Sequence, residues 1–153
     1  MEYMKMNNYP LWWDTTLTIY NKYEDPLTQL ITWYKTTLDH CFWKYTGDKV
    51  AIGNTILETN NTICRIPQNP IFLERYEWEQ LPTDQKPNFF TLGIGDLIFK
   101  GAIEDIIDEY HSPHRSNDVI AKYKNITGCI TIERVAINVG IGRNNPHYYV
   151  KGV

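Results

Sequence analysis

The sequence predicts a mainly β protein, a single-domain antiparallel β barrel or sandwich with one or two short helices, its domain at 15–153 preceded by an N-terminal arm at 1–14. Three observations point there. Runs such as TTLTIYNKY at 15–23 alternate apolar and polar residues, the period of a half-buried strand. No alternation of strand-like with helical runs appears, so parallel βαβ units are not expected. Aromatic residues make up 14% of the chain, with 11 Tyr and 5 Trp, and such rings suit strand surfaces and protein contacts. At 153 residues the chain fits one core of ordinary size.

The elements follow in order. In the first strand, Thr15 to Tyr23, Leu17 and Ile19 alternate with threonines, and Asp25-Pro26 turns the chain. The run from Leu30 to Tyr45 shifts its apolar phase from Ile31 and Trp33 to Leu38 and Phe42, which predicts a bulge near Thr36-Thr37. Thr46-Gly47-Asp48 reads as a hairpin connection into Lys49 to Thr59; Thr62 to Ile66 resumes the sheet and Pro67 stops it. Pro67, Pro70, Pro82 and Pro87 make 67–88 a long excursion with at most one short helix, around Phe72 to Gln80.

A strand is expected from Phe89 to Lys100, with Gly93 and Gly95 inside it. Residues 102–110 fit either state: Ile103, Ile106, Ile107 and Tyr110 have helical spacing, while Gly101 and the preceding strand favour extended chain. Ser116 and Asp118 signal the start of a helix through Val119, Ile120 and Tyr123. Cys129 to Val139 is the clearest long strand, Asn144-Asn145-Pro146 a turn, and His147 to Val153 the last strand. The total, roughly eight or nine strands, indicates a barrel or sandwich.

Composition narrows the function. Fifteen basic against eighteen acidic side chains leave a net charge of −3, so a dedicated nucleic-acid binder is disfavoured, though a local basic patch is not. Arg65, Arg75, Arg115, Arg134 and Arg143 are dispersed, and a basic groove requires a fold that gathers them. The odd set Cys41, Cys64 and Cys129 argues against a disulfide framework and for a reducing compartment. The N-terminus lacks the apolar run of a signal peptide, and no stretch approaches a membrane span.

No catalytic signature emerges, and no cofactor or metal is expected. Gly93-Ile94-Gly95 lacks a third glycine and a following helix, so it reads as a kink or close backbone approach rather than a dinucleotide cradle. Gly140-Ile141-Gly142 before Arg143 reads as a hairpin end. His111 and His114 flank Ser112-Pro113, which denies them helical pairing for a metal with Asp108 or Glu109. His40 and Cys41, adjacent on a strand, point apart, so Cys41 reads as a structural cysteine.

Two features remain as surfaces. Trp12-Trp13 and Tyr148-Tyr149 are candidate subunit contacts, since one ring of each pair can face outward. Glu104, Asp105, Asp108 and Glu109 form an acidic segment that reads as a solvated face, able to steer by repelling nucleic acid or matching a basic partner.

Three segments, ICRIP at 63–67, FTLGIGDLIFKG at 90–101 and PHYYVKG at 146–152, together resemble the small head-tail connector proteins of tailed bacteriophages and prophages, described as head-closure, stopper or minor capsid proteins. TLTIYNKYEDPLTQLITWYKTTLDHCFWK at 16–44 is similar to that family's opening hairpin. The resemblance implies structural roles for Arg65, Pro67, Gly95, Asp96, Gly101 and His147. It implies a structural virion protein of the neck, assembled in the bacterial host cytoplasm, with no enzymatic activity. Its partners would be copies of itself in a ring, a portal or adaptor protein on the head side and a tail-terminator or tail-tube protein on the tail side. Double-stranded DNA would pass without specific binding, the acidic segment facing the channel. Other roles compatible with the residues are a tail-terminator or capsid-decoration subunit, or a host-directed β-barrel binding module. If the arm carries subunit contacts, deleting 1–14 is expected to leave a folded domain that no longer assembles.

Overall fold

The structure, a computed structural model, describes residues 9–138 and 146–153, with the side chains of 48–50 and 57–60 left aside. Six strands close an antiparallel barrel: β1 (Thr15–Glu24), β2 (Ile31–Ile52), β3 (Thr55–Pro67), β4 (Leu97–Lys100), β5 (Cys129–Asn138) and β6 (His147–Gly152), in the order β1-β2-β3-β6-β5-β4. Helix α1 (Arg75–Glu79) lies in the excursion between β3 and β4, and α2 (Ser116–Tyr123) lies between β4 and β5. Both fall within the segments where the sequence predicts helix.

The period-two pattern places one face of each strand inside. Leu17 and Ile19 of β1 join Cys41, Cys64, Ile66, Ile98, Ile130, Ile132, Tyr148 and Val150 in the barrel interior. The other face of β1 is not open to water. Tyr20, with Leu97, Phe99 and Cys129, packs under Ile103 and Ile107 and under Val119 of α2, so β1 is covered on both sides. The chain from Gly101 is fastened there: the Thr18 hydroxyl donates to the Gly101 carbonyl (2.7 Å) and accepts from the Ile103 N–H (3.0 Å). Residues 102–110, which fit either helix or strand by sequence, are neither; they form an irregular cover whose isoleucines at 103 and 107 point down into this second core.

Four expectations need correction. Among the described residues the strands number six, not eight or nine, because β2 runs for 22 residues and β3 for 13 without interruption. The hairpin turn is Gly53-Asn54, not Thr46-Gly47-Asp48: Thr46, Gly47 and Asp48 stay in the ladder opposite Asn61, Asn60 and Thr59, and Gly53 supplies the positive φ of 61° that such a turn requires. The bulge sits at Asp39-His40 rather than Thr36-Thr37, since Leu38 pairs with Leu17 but Cys41 with Thr15, and His40 takes φ 60°. The strand predicted over Phe89 to Lys100 survives only as β4. Before it, Phe90 makes a single parallel bridge to Phe72, and Gly93–Asp96 form a turn closed by the Asp96 N–H to the Gly93 carbonyl (3.1 Å), with Gly95 at φ 94°. Gly140, Gly142, Arg143 and most of the Asn144-Asn145-Pro146 turn lie outside the described residues, as does the arm up to residue 8.

At the barrel seam Gly152 allows β6 to close against β5. A Cβ there would stand 2.4 Å from the Thr131 carbonyl oxygen, so no larger residue fits this close approach without moving the strand.

Candidate interaction faces

β2 and β3 outrun the barrel. β2 pairs with β1 only as far as Cys41, and β3 meets β6 only from Thr62 onward. Among the described residues Thr46–Ile52 and Thr55–Asn61 therefore pair only with each other, forming a two-stranded ribbon that extends about 20 Å from the barrel at roughly 3.4 Å per residue. Tyr45 near its base and Ile52 and Ile56 flanking its tip are 60%, 62% and 67% exposed. An isolated two-stranded ribbon is marginal in water, and exposed apolar residues on one invite a partner. The sequence signal for it was the Gly53-Asn54 pair between two strand-like runs.

A second face lies at the ribbon's foot, on the outside of β2, β3, β6 and β5. Register aligns two cross-strand rows there, Phe42, Arg65, Tyr149 and Ala136 in one, and Lys44, Ile63, Lys151 and Arg134 in the next. The Arg65 guanidinium lies 5.7 Å from the ring centres of both Phe42 and Tyr149, a cation-π sandwich. Its Nε is buried and has no hydrogen-bond partner among the described residues. Trp12, 65% exposed, meets the edge of Phe42 at 5.5 Å between ring centres.

The predicted contact rings divide. Trp13 is buried (4% exposed), packed against Phe42 and edge-on to His147 at 5.5 Å. Tyr148 is buried and stacks on Phe72 at 4.1 Å. Both are taken up by the protein's own core, whereas Trp12 and Tyr149 keep exposed area. Because Trp13 is part of that core, removing residues 1–14 would take it away and uncover Phe42 and His147, on which it packs, and the deletion is not a clean test of assembly.

The acidic segment is spread over local partners. Asp105 accepts from the Tyr123 hydroxyl (2.6 Å) and the Lys122 ammonium (3.0 Å), and these bonds hold its carboxyl below the ordinary range. Asp108 pairs with the His111 Nδ1 at 2.7 Å, and Glu109 accepts from the Trp33 indole N–H (2.8 Å) and the Ser116 N–H (3.2 Å). Glu104 is exposed. The segment thus ties the 102–110 cover to β2 and α2.

Gly95 and Asp96 serve the excursion. The buried Asp96 carboxylate accepts from the Arg75 guanidinium (2.7 Å), the Asn21 amide (2.9 Å) and the backbone N–H groups of Lys22 (2.9 Å) and Gly93 (3.1 Å). Asp96 thereby clips α1 to β1. Pro67 ends β3 opposite His147, and Gly101, at φ 100°, donates its N–H to the Thr16 carbonyl (2.7 Å).

All three cysteines are buried free thiols. Burial pushes Cys41 and Cys129 up to about 12 and Cys64 well above its ordinary range, so none is a thiolate at neutral pH. His40 stands beside Cys41 in sequence but faces outward, stacked on Tyr9 at 4.4 Å. In the folded protein none of the three is expected to react with an aromatic disulfide reagent at neutral pH, and all three should react once it is denatured; rapid labelling of the native chain would contradict this. Among the described residues no group of three or more His, Cys, Asp or Glu is placed to hold a metal ion, and no helix is long and apolar enough to cross a membrane.

A model of a family of unknown function, DUF6751, matches residues 12–153. No curated protein and no solved structure matches the chain.

Proposed function

Since the chain belongs to the DUF6751 family, whose function is unknown, its surfaces carry the argument, and we propose that it is a structural subunit of the bacteriophage neck. In this reading it forms a ring that joins the portal-adaptor assembly to the tail around the DNA. One observation supports a role in assembly above all: a closed barrel that extends a two-stranded ribbon with exposed Ile52 and Ile56. A closed barrel has no free edges of its own, so the ribbon is an appendage the domain does not need for closure. A ring needs contacts between unlike surfaces of identical copies, and a projecting ribbon paired with a barrel wall supplies two such surfaces. The virion setting comes from the resemblance carried by ICRIP, FTLGIGDLIFKG and PHYYVKG.

The test removes the ribbon and spares the barrel. Residues 46–61 are replaced by a two-residue Asn-Gly turn, and the tagged chain is followed in a lysate of the source cell after phage induction. The intact chain should sediment with particles. The shortened chain should keep a cooperative unfolding transition and be absent from them. Failure of the intact chain to join particles, or full incorporation of the shortened one, would overturn the reading.

A further inference from the structure

The fold gathers cations that the sequence scatters. Lys44, Arg65, Lys151 and Arg134 come from four different strands, yet register sets them in two adjacent rows on one outer wall. No carboxylate stands in either row; Glu133, in the bulge beside Arg134, is the acidic neighbour. None of the four cations has an ion pair or a side-chain hydrogen bond among the described residues. Elsewhere the protein neutralises comparable groups, as with Arg75 on Asp96 and Lys122 on Asp105. In the closed order the strands at the centre of this wall, β3 and β6, lie across the barrel from β4 and β1, whose outer side carries the 102–110 acidic cover. Opposite walls of a chain with net charge −3 thus differ in charge.

We propose that this wall contacts the phosphate backbone of double-stranded DNA, without reading its sequence. The chemistry favours phosphate over an acidic protein. Within the two rows the exposed side chains are the cations Lys44 and Arg134, while Phe42, Tyr149, Ile63 and Ala136 are half-buried along with Arg65 and Lys151, so the groups of the rows that reach furthest outward are charged. Protein interfaces are depleted in lysine and need a desolvated apolar centre, whereas backbone contacts to DNA are made by Lys and Arg of this kind. Arg65 is preorganised by its two flanking rings, which reduces the entropy lost when it meets an oxygen. The inference rests on the ring reading in one respect: in a ring around DNA this wall, rather than the acidic segment, would face the duplex.

The experiment uses the purified full chain and a short fluorescent duplex of arbitrary sequence, with anisotropy read across a salt series. Four phosphate contacts give a slope of log K against log salt of about −3.6, at roughly −0.9 per contact. The triple variant K44Q/R134Q/K151Q should keep the wild-type unfolding midpoint and reduce that slope to about −0.9, the value for one contact. K100Q/K124Q, which removes two cations outside the rows, should leave the slope unchanged. No binding of duplex by the wild type at low salt, an unchanged slope in the triple variant, or capture of polyglutamate in place of DNA would each overturn the proposal. Because no phage component is present, such a failure leaves the assembly reading standing, and failure of the ribbon test leaves this one.

Discussion

Replacing Asp96 with alanine will lower the unfolding free energy by about 3–5 kcal/mol, because several donors lose one buried acceptor together and each buried group left unsatisfied costs about 1–3 kcal/mol. The substitution strips an acceptor from the Arg75 guanidinium, the Asn21 amide and two backbone N–H groups at once. Asn21 is fully buried and also donates to the Thr91 carbonyl at 2.6 Å, so no water is at hand to replace the lost bond. For a domain whose total stability is about 5–15 kcal/mol, that is a large share, visible as a fall in the urea midpoint. A loss below about 1 kcal/mol, the net value of one ordinary hydrogen bond, would refute the central place given to this carboxylate.

The same residue sets a pH dependence. Burial raises the Asp96 carboxyl above the ordinary range, against the opposing pull of Arg75 and the N–H donors. Between the unfolded value and the raised folded one, the folded state holds a proton that the unfolded state has released. Stability from this group therefore declines as pH rises through that interval and is level above it. Asp96→Asn does not titrate, so the difference in stability between wild type and this variant should fall across that window and then flatten.

Trp78→Ala is expected to cost about 3–5 kcal/mol, the usual range for an aromatic removed from a core. Trp78 is the fully buried anchor of α1. Tyr23 and Tyr34 meet it edge-on at 6.1 and 5.6 Å, and the Arg75 guanidinium lies 5.3 Å from its ring. The buried Lys86 ammonium is 5.6 Å from that ring and 4.2 Å from that of Tyr23, and it donates to the Glu79 and Leu81 carbonyls. Burial already holds Lys86 below its ordinary value, so losing the indole leaves a cavity beside a cation with fewer neighbours. Trp78→Phe should cost much less, because the indole Nε1 has no hydrogen-bond partner among the described residues and its removal forfeits none. Limited proteolysis of the alanine variant should cut first within 81–88, before the barrel unfolds. An alanine variant as resistant and as stable as wild type would show that the excursion is held by something other than Trp78.

The parts of this fold that were legible in the chain are those governed by neighbours in sequence. Alternation in TTLTIYNKY, the helix signal at Ser116 and Asp118, and the apolar run after Cys129 each led to an element found at nearly those bounds. Thr46-Gly47-Asp48 misled because glycine marks a turn only when no partner strand continues past it, and here Asn60 lies opposite. Gly93 and Gly95 looked like part of a strand, but Asp96 turns inward to Arg75 and bends the chain. The charged wall left no local signature at all, since Lys44 and Arg134 are 90 residues apart in the chain. Likewise, no local rule tells which of Trp12 and Trp13, or of Tyr148 and Tyr149, a barrel will draw into its core.

By itself, then, the amino-acid order determined that this protein is mainly β, an antiparallel barrel or sandwich with one or two short helices, because strand period, turn chemistry and helix starts act over a few residues. Only the tertiary structure decided that β2 and β3 extend past the barrel as a ribbon, that Asp96 clips α1 to β1, and that cations from four strands share one wall. The reason is physical: closure of the barrel, through pairings such as Leu17 with Lys100 and Thr62 with Gly152, fixes which residues are left outside and beside one another. That register depends on the whole barrel closing at once, not on any one segment.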